Sequence, residues 1–370
     1  MKYLFINSVA GFGSTGRIVL EQCRELQAQG HECLVAYGRR AEKCGDVPTL
    51  AIGTAVDYCL HAARHRVLGD GGFGSWAATR RFLRRVEAYD PDVVWLHNLH
   101  GYYIHLGLLF QYLKKSGKKV IWTLHDCWAF TGNCPHFWYI GCEKWRTCCN
   151  HCLQLNQYPQ TLRDSSEKNF EKKQALFTSL KDMTIQVPSE WMAQLVGQSF
   201  LKEYPLQVVP NQVDTRVFRP TPSDLRRQWG VEEKFLVLGV SNVWTERKGL
   251  QTFCQLAKLL PDSCQVVLIG LTKEQRKALP PEIIGLPRTS SLTELAQAYT
   301  AADVYVSASV EESFGMTVLE AACCGTVPIV YAGTASQEIA LSHGGECVQP
   351  GAESLAQAIL RRKQLQEAQK

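Results

Sequence analysis

Two doubly wound α/β domains are the fold class that this sequence predicts, and three observations predict it. Short apolar runs of strand length alternate with helix-length segments along the whole chain. The alternation restarts at Phe235, after a Pro- and Asn-containing stretch at Tyr204–Pro220. The 370 residues, 45% of them hydrophobic, are enough for two cores at about 100–200 residues each. The expected domains are 1–205 and 206–370, both with parallel sheets covered by helices on two faces.

Each element has a local reason. Lys2–Val9 is an apolar strand ending in Gly11-Phe12-Gly13-Ser14-Thr15-Gly16, followed by a helix over Arg17–Gln29 with Gly30 as its stop. Cys33–Tyr37 is the second strand. Asp92–His97 and Val120–His125 are rich in Val, Ile and Trp, as strands buried on both faces are. Ile185–Pro188 and Leu206–Val209 complete the first series. The second consists of strands at Phe235–Val240, Gln265–Ile269, Val304–Ser307 and Val327–Tyr331, with helices at Leu250–Leu260, Leu292–Ala301 and Met316–Cys324. No repeat of the solenoid kind is present.

Composition excludes several classes. The mean hydropathy of -0.15 and the lack of any run of roughly 18 apolar residues exclude a membrane-spanning chain. Aromatic content of 10% argues against disorder. The first residues lack a signal peptide's apolar core and cleavage site, so a cytoplasmic protein is expected. Residues 1–184 carry 23 Lys+Arg against 16 Asp+Glu, whereas residues 185–370 carry 17 against 19. The basic excess is densest at Arg80, Arg81, Arg84 and Arg85 and at Lys114, Lys115, Lys118 and Lys119. Two readings stand: solvated helix faces, or attraction to an anionic membrane surface on the inner face of the cell membrane. Nucleic acid is not an expected partner, because no binding motif accompanies the charge.

In doubly wound sheets, ligands sit beyond the carboxyl ends of the strands, so the loops there carry the chemistry. Gly11 to Gly16 lets backbone amides approach a phosphate or sugar at a helix N-terminus, although tight strand-to-helix turns need glycine anyway. His125-Asp126 closes a strand and can be catalytic or structural. Arg247-Lys248-Gly249 sets two cations beside a close-approach glycine, which suits a diphosphate. Glu312 precedes a helix and Glu320 lies two turns into it, roughly 9–12 Å further along. Carboxylates so spaced can bind hydroxyls at both ends of an elongated ligand, with helix amides between them for phosphates. Asp90-Pro91-Asp92 precedes a strand and reads as a turn.

Six of the 15 cysteines fall within 127–152. Cys134, Cys142, Cys149 and Cys152 end in a C-x2-C pair, the common half-site of structural zinc. Cys148 and His151 are alternative donors, and a loop of free thiols is the other reading.

On these residues the chain resembles the retaining nucleotide-sugar glycosyltransferases of family 4. The resemblance is carried by the Glu312-to-Glu320 spacing, Arg247-Lys248-Gly249, His125 and the first glycine loop. Pro210-Asn211-Gln212-Val213-Asp214 and Ala301-Ala302-Asp303-Val304 support it, and it spans about residue 3 to about residue 360. Thr123–Cys134, TLHDCWAFTGNC, is similar to the subgroup that builds cell-surface polysaccharides.

The resemblance implies the GT-B fold, two Rossmann-like domains facing across a cleft, with acceptor on the N-terminal and donor on the C-terminal domain. It implies donor-diphosphate binding by Lys248, sugar contact by Glu312 and His125, and ribose binding by Glu320. Phe314, Gly315, Met316 and Thr317 would line the sugar and phosphates, Gly13 would lie between acceptor and phosphate, and Glu338 matches a further family glutamate. The family's phosphate-binding arginine is replaced by Asn242, so either Arg247 serves or one cation is missing. The implied activity is transfer of a sugar, with retention, from a nucleoside diphosphate sugar to a lipid-linked or oligosaccharide acceptor, without catalytic metal. An epimerase-like enzyme and a non-catalytic nucleotide-sugar-binding protein are the alternatives.

Overall fold

The computed structural model describes residues 1–368. The chain divides into two compact units, Met1–Pro210 and Asn211 onward. The break therefore falls after Pro210, not after residue 205, because Leu206–Val208 is a strand of the first sheet, paired with Met183–Val187.

In the first unit, β1 (Lys2–Ala10), α1 (Gly13–Ala28), β2 (Glu32–Ala41), β3 (Thr49–Ala51), α2 (Ala55–Leu68) and α3 (Trp76–Tyr89) come first. They are followed by β4 (Val93–Leu96), α4 (Leu106–Ser116), β5 (Lys119–Thr123), α5 (Ser166–Phe177), β6 (Met183–Val187), α6 (Glu190–Val196) and β7 (Leu206–Val208). The strands are parallel, in the order β3-β2-β1-β4-β5-β6-β7. The order reverses between β1 and β4, which makes the loops after these two strands the expected ligand loops. On one face Phe5 and Val35 of the sheet pack against Val19, Leu20 and Cys23 of α1.

Two features of the β1–α1 turn require glycine. Gly11 has φ +66, and a Cβ there would lie 1.8 Å from the Glu42 carbonyl oxygen, which belongs to the segment just after β2. Asp90-Pro91-Asp92 is a turn before β4, with Lys118 on Asp90 and the Lys2 amide on Asp92.

The second unit contains α7 (Leu225–Gln228), β8 (Phe235–Val240), α8 (Leu250–Leu259), β9 (Cys264–Ile269), α9 (Lys273–Lys277) and β10 (Ile283–Leu286). It continues with α10 (Leu292–Ala301), β11 (Val304–Ser307), α11 (Met316–Cys323), β12 (Val327–Tyr331), α12 (Ser336–Ser342), β13 (Glu346–Val348) and α13 (Ala352–Ala368). The parallel order is β10-β9-β8-β11-β12-β13, reversing between β8 and β11. Alternation along β8 sorts its side chains to two cores. Val237 joins Phe253 and Leu256 of α8 and Leu355 and Ile359 of α13, while Leu236 and Leu238 join Tyr299, Val318 and Ile339 of α10, α11 and α12. Helices on both faces leave the carboxyl ends of β8 and β11 as the place where polar loops meet.

Candidate active site

In the second unit those two loops are laced together. The segment after β8 turns through Glu246–Lys248 and ends at Gly249, φ +77, where a Cβ would lie 2.4 Å from the Ala308 carbonyl oxygen. Only glycine lets the backbone approach the end of β11 so closely. Val310 N donates to the Arg247 carbonyl at 3.1 Å, and the Arg247 guanidinium donates to the Glu311 carbonyl at 2.5 Å. The Lys248 ammonium is ion-paired with the Glu312 carboxylate. Burial works to raise the Glu312 carboxyl, but the Lys248 and Arg247 charges outweigh it and hold Glu312 below the usual carboxylate range.

The segment then enters α11 through Gly315, φ +106, where a Cβ would press on Ser336 Oγ at 2.5 Å. Val318 N and Leu319 N bond back to the Gly315 carbonyl, so the Met316 and Thr317 amides lie ahead of the helix's own hydrogen-bond ladder. These amides and the adjacent cations form a place for an anion at a helix N-terminus. The Tyr305 hydroxyl donates to Thr317 Oγ1 at 2.8 Å, and the Tyr299 hydroxyl donates to Glu320 Oε2 at 3.0 Å. Glu320 is buried on the second turn, so the tyrosine fixes one of its oxygens.

The structure thus brings Arg247, Lys248, Glu312, Gly315, Met316 and Thr317 to one switch point, with Glu320 behind them. Phe314 contributes backbone only, because its side chain belongs to the core. Asn242 is exposed on the same loop. Glu338 lies in the first turn of α12.

In the first unit, Gly13 opens α1 at φ +65 with open space where a side chain would stand. His125 follows β5, and its Nε2 lies 3.0 Å from Nδ1 of His97, which follows β4. Burial pushes His125 down to about 4 and His97 well below its ordinary value, so both rings are neutral near pH 7. Beside them His100 bridges Asp126 Oδ2 at 2.8 Å and the Tyr158 hydroxyl at 3.1 Å. Burial works to raise Asp126, yet His100 and its other hydrogen bonds bring it down to about 2. His97, His100 and Tyr158 join the site without belonging to any of the motifs that the sequence singles out. The run Leu96-His97-Asn98-Leu99-His100 at the end of β4 was the available signal, in the second loop at the switch point.

The cysteine-rich insertion has a small aromatic core, with Phe137 stacked on Trp145 at 4.8 Å and Phe130 at 5.4 Å from Trp145. Under it, Lys173 of α5 is fully buried and donates to the Trp128 and Thr131 carbonyls at 2.8 and 3.0 Å. Cys134, Cys142, Cys149 and Cys152 lie within electrostatic reach of one another, whereas Cys148 faces Glu167 and Glu171. Among the described residues, however, no group of three or more His, Cys, Asp or Glu is placed to hold a metal ion. The four thiols share one neighbourhood without being drawn into a single ligand cluster. Burial keeps Cys134 and Cys149 protonated, Cys149 being pushed up to about 12.

Comparisons with known proteins bear on the family and the fold. The model for "Glycosyltransferase Family 4" matches residues 15–217, and that for "Glycosyl transferases group 1" matches residues 223–370. The putative colanic acid biosynthesis glycosyl transferase WcaC of Escherichia coli is 31% identical over 128 residues, 33% of this chain and 31% of that protein. The alpha-galactosylglucosyldiacylglycerol synthase of Streptococcus pneumoniae is 31% identical over 170 residues, 41% of this chain and 44% of its own. The chain thus spans under half the length of either relative. The structure of Anabaena Alr3699/HepE in complex with UDP and glucose superposes with a TM-score of 0.66 at 16% identity, covering 97% of this chain and 89% of that one. Such a likeness establishes the fold, the GT-B class of two parallel-sheet Rossmann-like units. With one family model matched over more than half its length, the chain belongs to Glycosyltransferase Family 4.

Proposed function

We propose that the chain transfers a sugar, with retention of anomeric configuration, from a nucleoside diphosphate sugar to a lipid-linked or oligosaccharide acceptor in surface polysaccharide synthesis. The observation that carries this reading is the lacing of Arg247 and Lys248 to Glu311 and Glu312 in front of the α11 amides. Breaking the anomeric bond leaves negative charge on the departing diphosphate and positive charge on the sugar. Fixed cations and helix amides stabilise the first without solvent reorganisation. Lys248 Nζ and the Met316 and Thr317 amides take the diphosphate oxygens. Glu312, kept ionised by Lys248, faces the sugar hydroxyls, and Glu320, steadied by Tyr299, takes the ribose. His125, neutral and hydrogen-bonded to His97, serves as a donor or acceptor toward the sugar and not as a cation.

No enzyme carboxylate needs to act as nucleophile, because the departing phosphate can itself take the acceptor's proton. The named relatives support both halves of the reading: one neighbour's structure holds UDP and glucose, and one relative is named for synthesis of a glycosyl diacylglycerol. The test is a panel of UDP-, GDP- and ADP-sugars with and without glycolipid and oligosaccharide acceptors, read by nucleoside diphosphate release and by the product's anomeric signal. Release that requires acceptor, with product retaining the donor's configuration, is expected. An altered free nucleotide sugar would point to an epimerase, and binding without turnover to a non-catalytic protein.

A further inference from the structure

Helix α2 presents an apolar stripe to solvent. Val56, Cys59, Leu60, Ala63 and Val67 stand at i, i+3, i+4, i+7 and i+11, one face of a helix. All five are exposed, Val56 and Leu60 at 66% and Val67 at 57%. The stripe is not a frayed end. Thr54 and Asp57 form a capping box at the N-terminus, Gly69 closes the other end in the left-handed conformation, and the opposite face buries His61 and His65.

Helix α3 is fastened beside it. Gly74 N donates to His61 Nε2 at 3.1 Å, which leaves His61 Nδ1–H to donate to Ser75 Oγ at 2.9 Å, and Arg81 reaches Asp57 at 3.2 Å. Immediately after Ser75 comes Trp76, 51% exposed, with the Arg80 guanidinium over its ring. The two helices carry six arginines against two acids, Asp57 and Glu87. Arg64 is paired with Asp70 and Arg81 with Asp57, but Arg66, Arg80, Arg84 and Arg85 have no carboxylate partner among the described residues.

We propose that α2 and α3 are a docking surface for an anionic phospholipid bilayer, the stripe lying against the acyl boundary and the unpaired guanidiniums among the phosphates. A linear row of aliphatic side chains, bordered by unpaired cations and an exposed tryptophan, has the chemistry of a helix lying in a bilayer interface. The excess of positive charge selects an anionic surface. This surface is separate from the residues assigned to the donor, so its test and that of the proposed reaction fail independently.

The experiment is co-sedimentation of the full chain with vesicles of phosphatidylcholine alone and of phosphatidylcholine with about one-third phosphatidylglycerol. Wild-type chain is expected on the mixed vesicles only, less so at high salt. Replacing Arg80, Arg84 and Arg85 by Gln should lower partitioning about 100-fold, at about fivefold per cation. Leu60→Gln with Val67→Gln should lower it as well, and both variants should keep the wild-type circular dichroism and melting. Absence of wild-type binding to the mixed vesicles would overturn the proposal. So would unchanged binding by both variants, or a dimer-to-monomer shift in Leu60→Gln/Val67→Gln with vesicle binding intact, which would make the stripe an interface between copies.

Discussion

Lys248→Ala removes the ammonium that is paired with Glu312 and that the proposed reaction sets against an incoming diphosphate. One charge pair at about 4 Å amounts to about 4 kcal/mol at an effective dielectric constant of about 20. Because Glu312 already draws on this cation, the net loss toward the departing diphosphate is about 2–4 kcal/mol. That corresponds to a kcat/KM about 30- to 1000-fold lower. The fold should hardly notice. The two side chains are 24% and 16% exposed, and a pair that solvent can reach contributes about 1 kcal/mol or less. Melting should therefore fall by only about 2–4 °C. The assay is initial nucleoside diphosphate release over a donor series at fixed acceptor, beside a thermal melt. A Lys248→Ala chain that melts normally and keeps kcat/KM within about threefold of wild type would refute the electrostatic reasoning.

Three further outcomes are expected. Arg247→Ala should be damaging to within about tenfold of Lys248→Ala, since it loses a cation and the bond to the Glu311 carbonyl, while Asn242→Arg on the exposed side of the loop should be tolerated. Full activity in Arg247→Ala would leave Lys248 and the amides as sufficient. Stability should fall as pH drops below about 6.5, because His61, held down to about 4 by burial, and His97, held by burial well below its ordinary value, bind protons in the unfolded chain before the folded one does. Each adds a slope of about 1.4 kcal/mol per pH unit until its folded-state value is reached, and a flat urea-denaturation series between pH 4 and about 6.5 would contradict it. In reduced protein, exposed Cys59 should alkylate before buried Cys134 and Cys149. One equivalent of zinc in chelator-free protein, lost with Cys149→Ser, would establish the metal site that the spacing suggests.

The long apolar strands and the Glu312-to-Glu320 helix were legible because each is encoded in one short window. β3 and β13 were not, being three-residue edge strands without an apolar run. α2 escaped notice for a different reason: its exposed apolar stripe lacks the polar outer face by which a surface helix is recognised. Arg247, Lys248 and Glu312 were found singly, but their lacing depends on contacts 64 residues apart. The His100 bridge likewise joins residues 26 and 58 positions away. Lys173 could not be anticipated, because a lysine in a polar helix gives no sign that two carbonyls will bury it.

Hydrogen exchange, with and without the nucleoside diphosphate released in the donor panel, would locate the ligand. Protection is predicted in 246–249 and 314–320, the loop after β8 and the first turns of α11, and should weaken in Lys248→Ala. Bound nucleotide that left both segments exchanging at their free rates, with protection elsewhere in the chain, would contradict a donor site at this switch point.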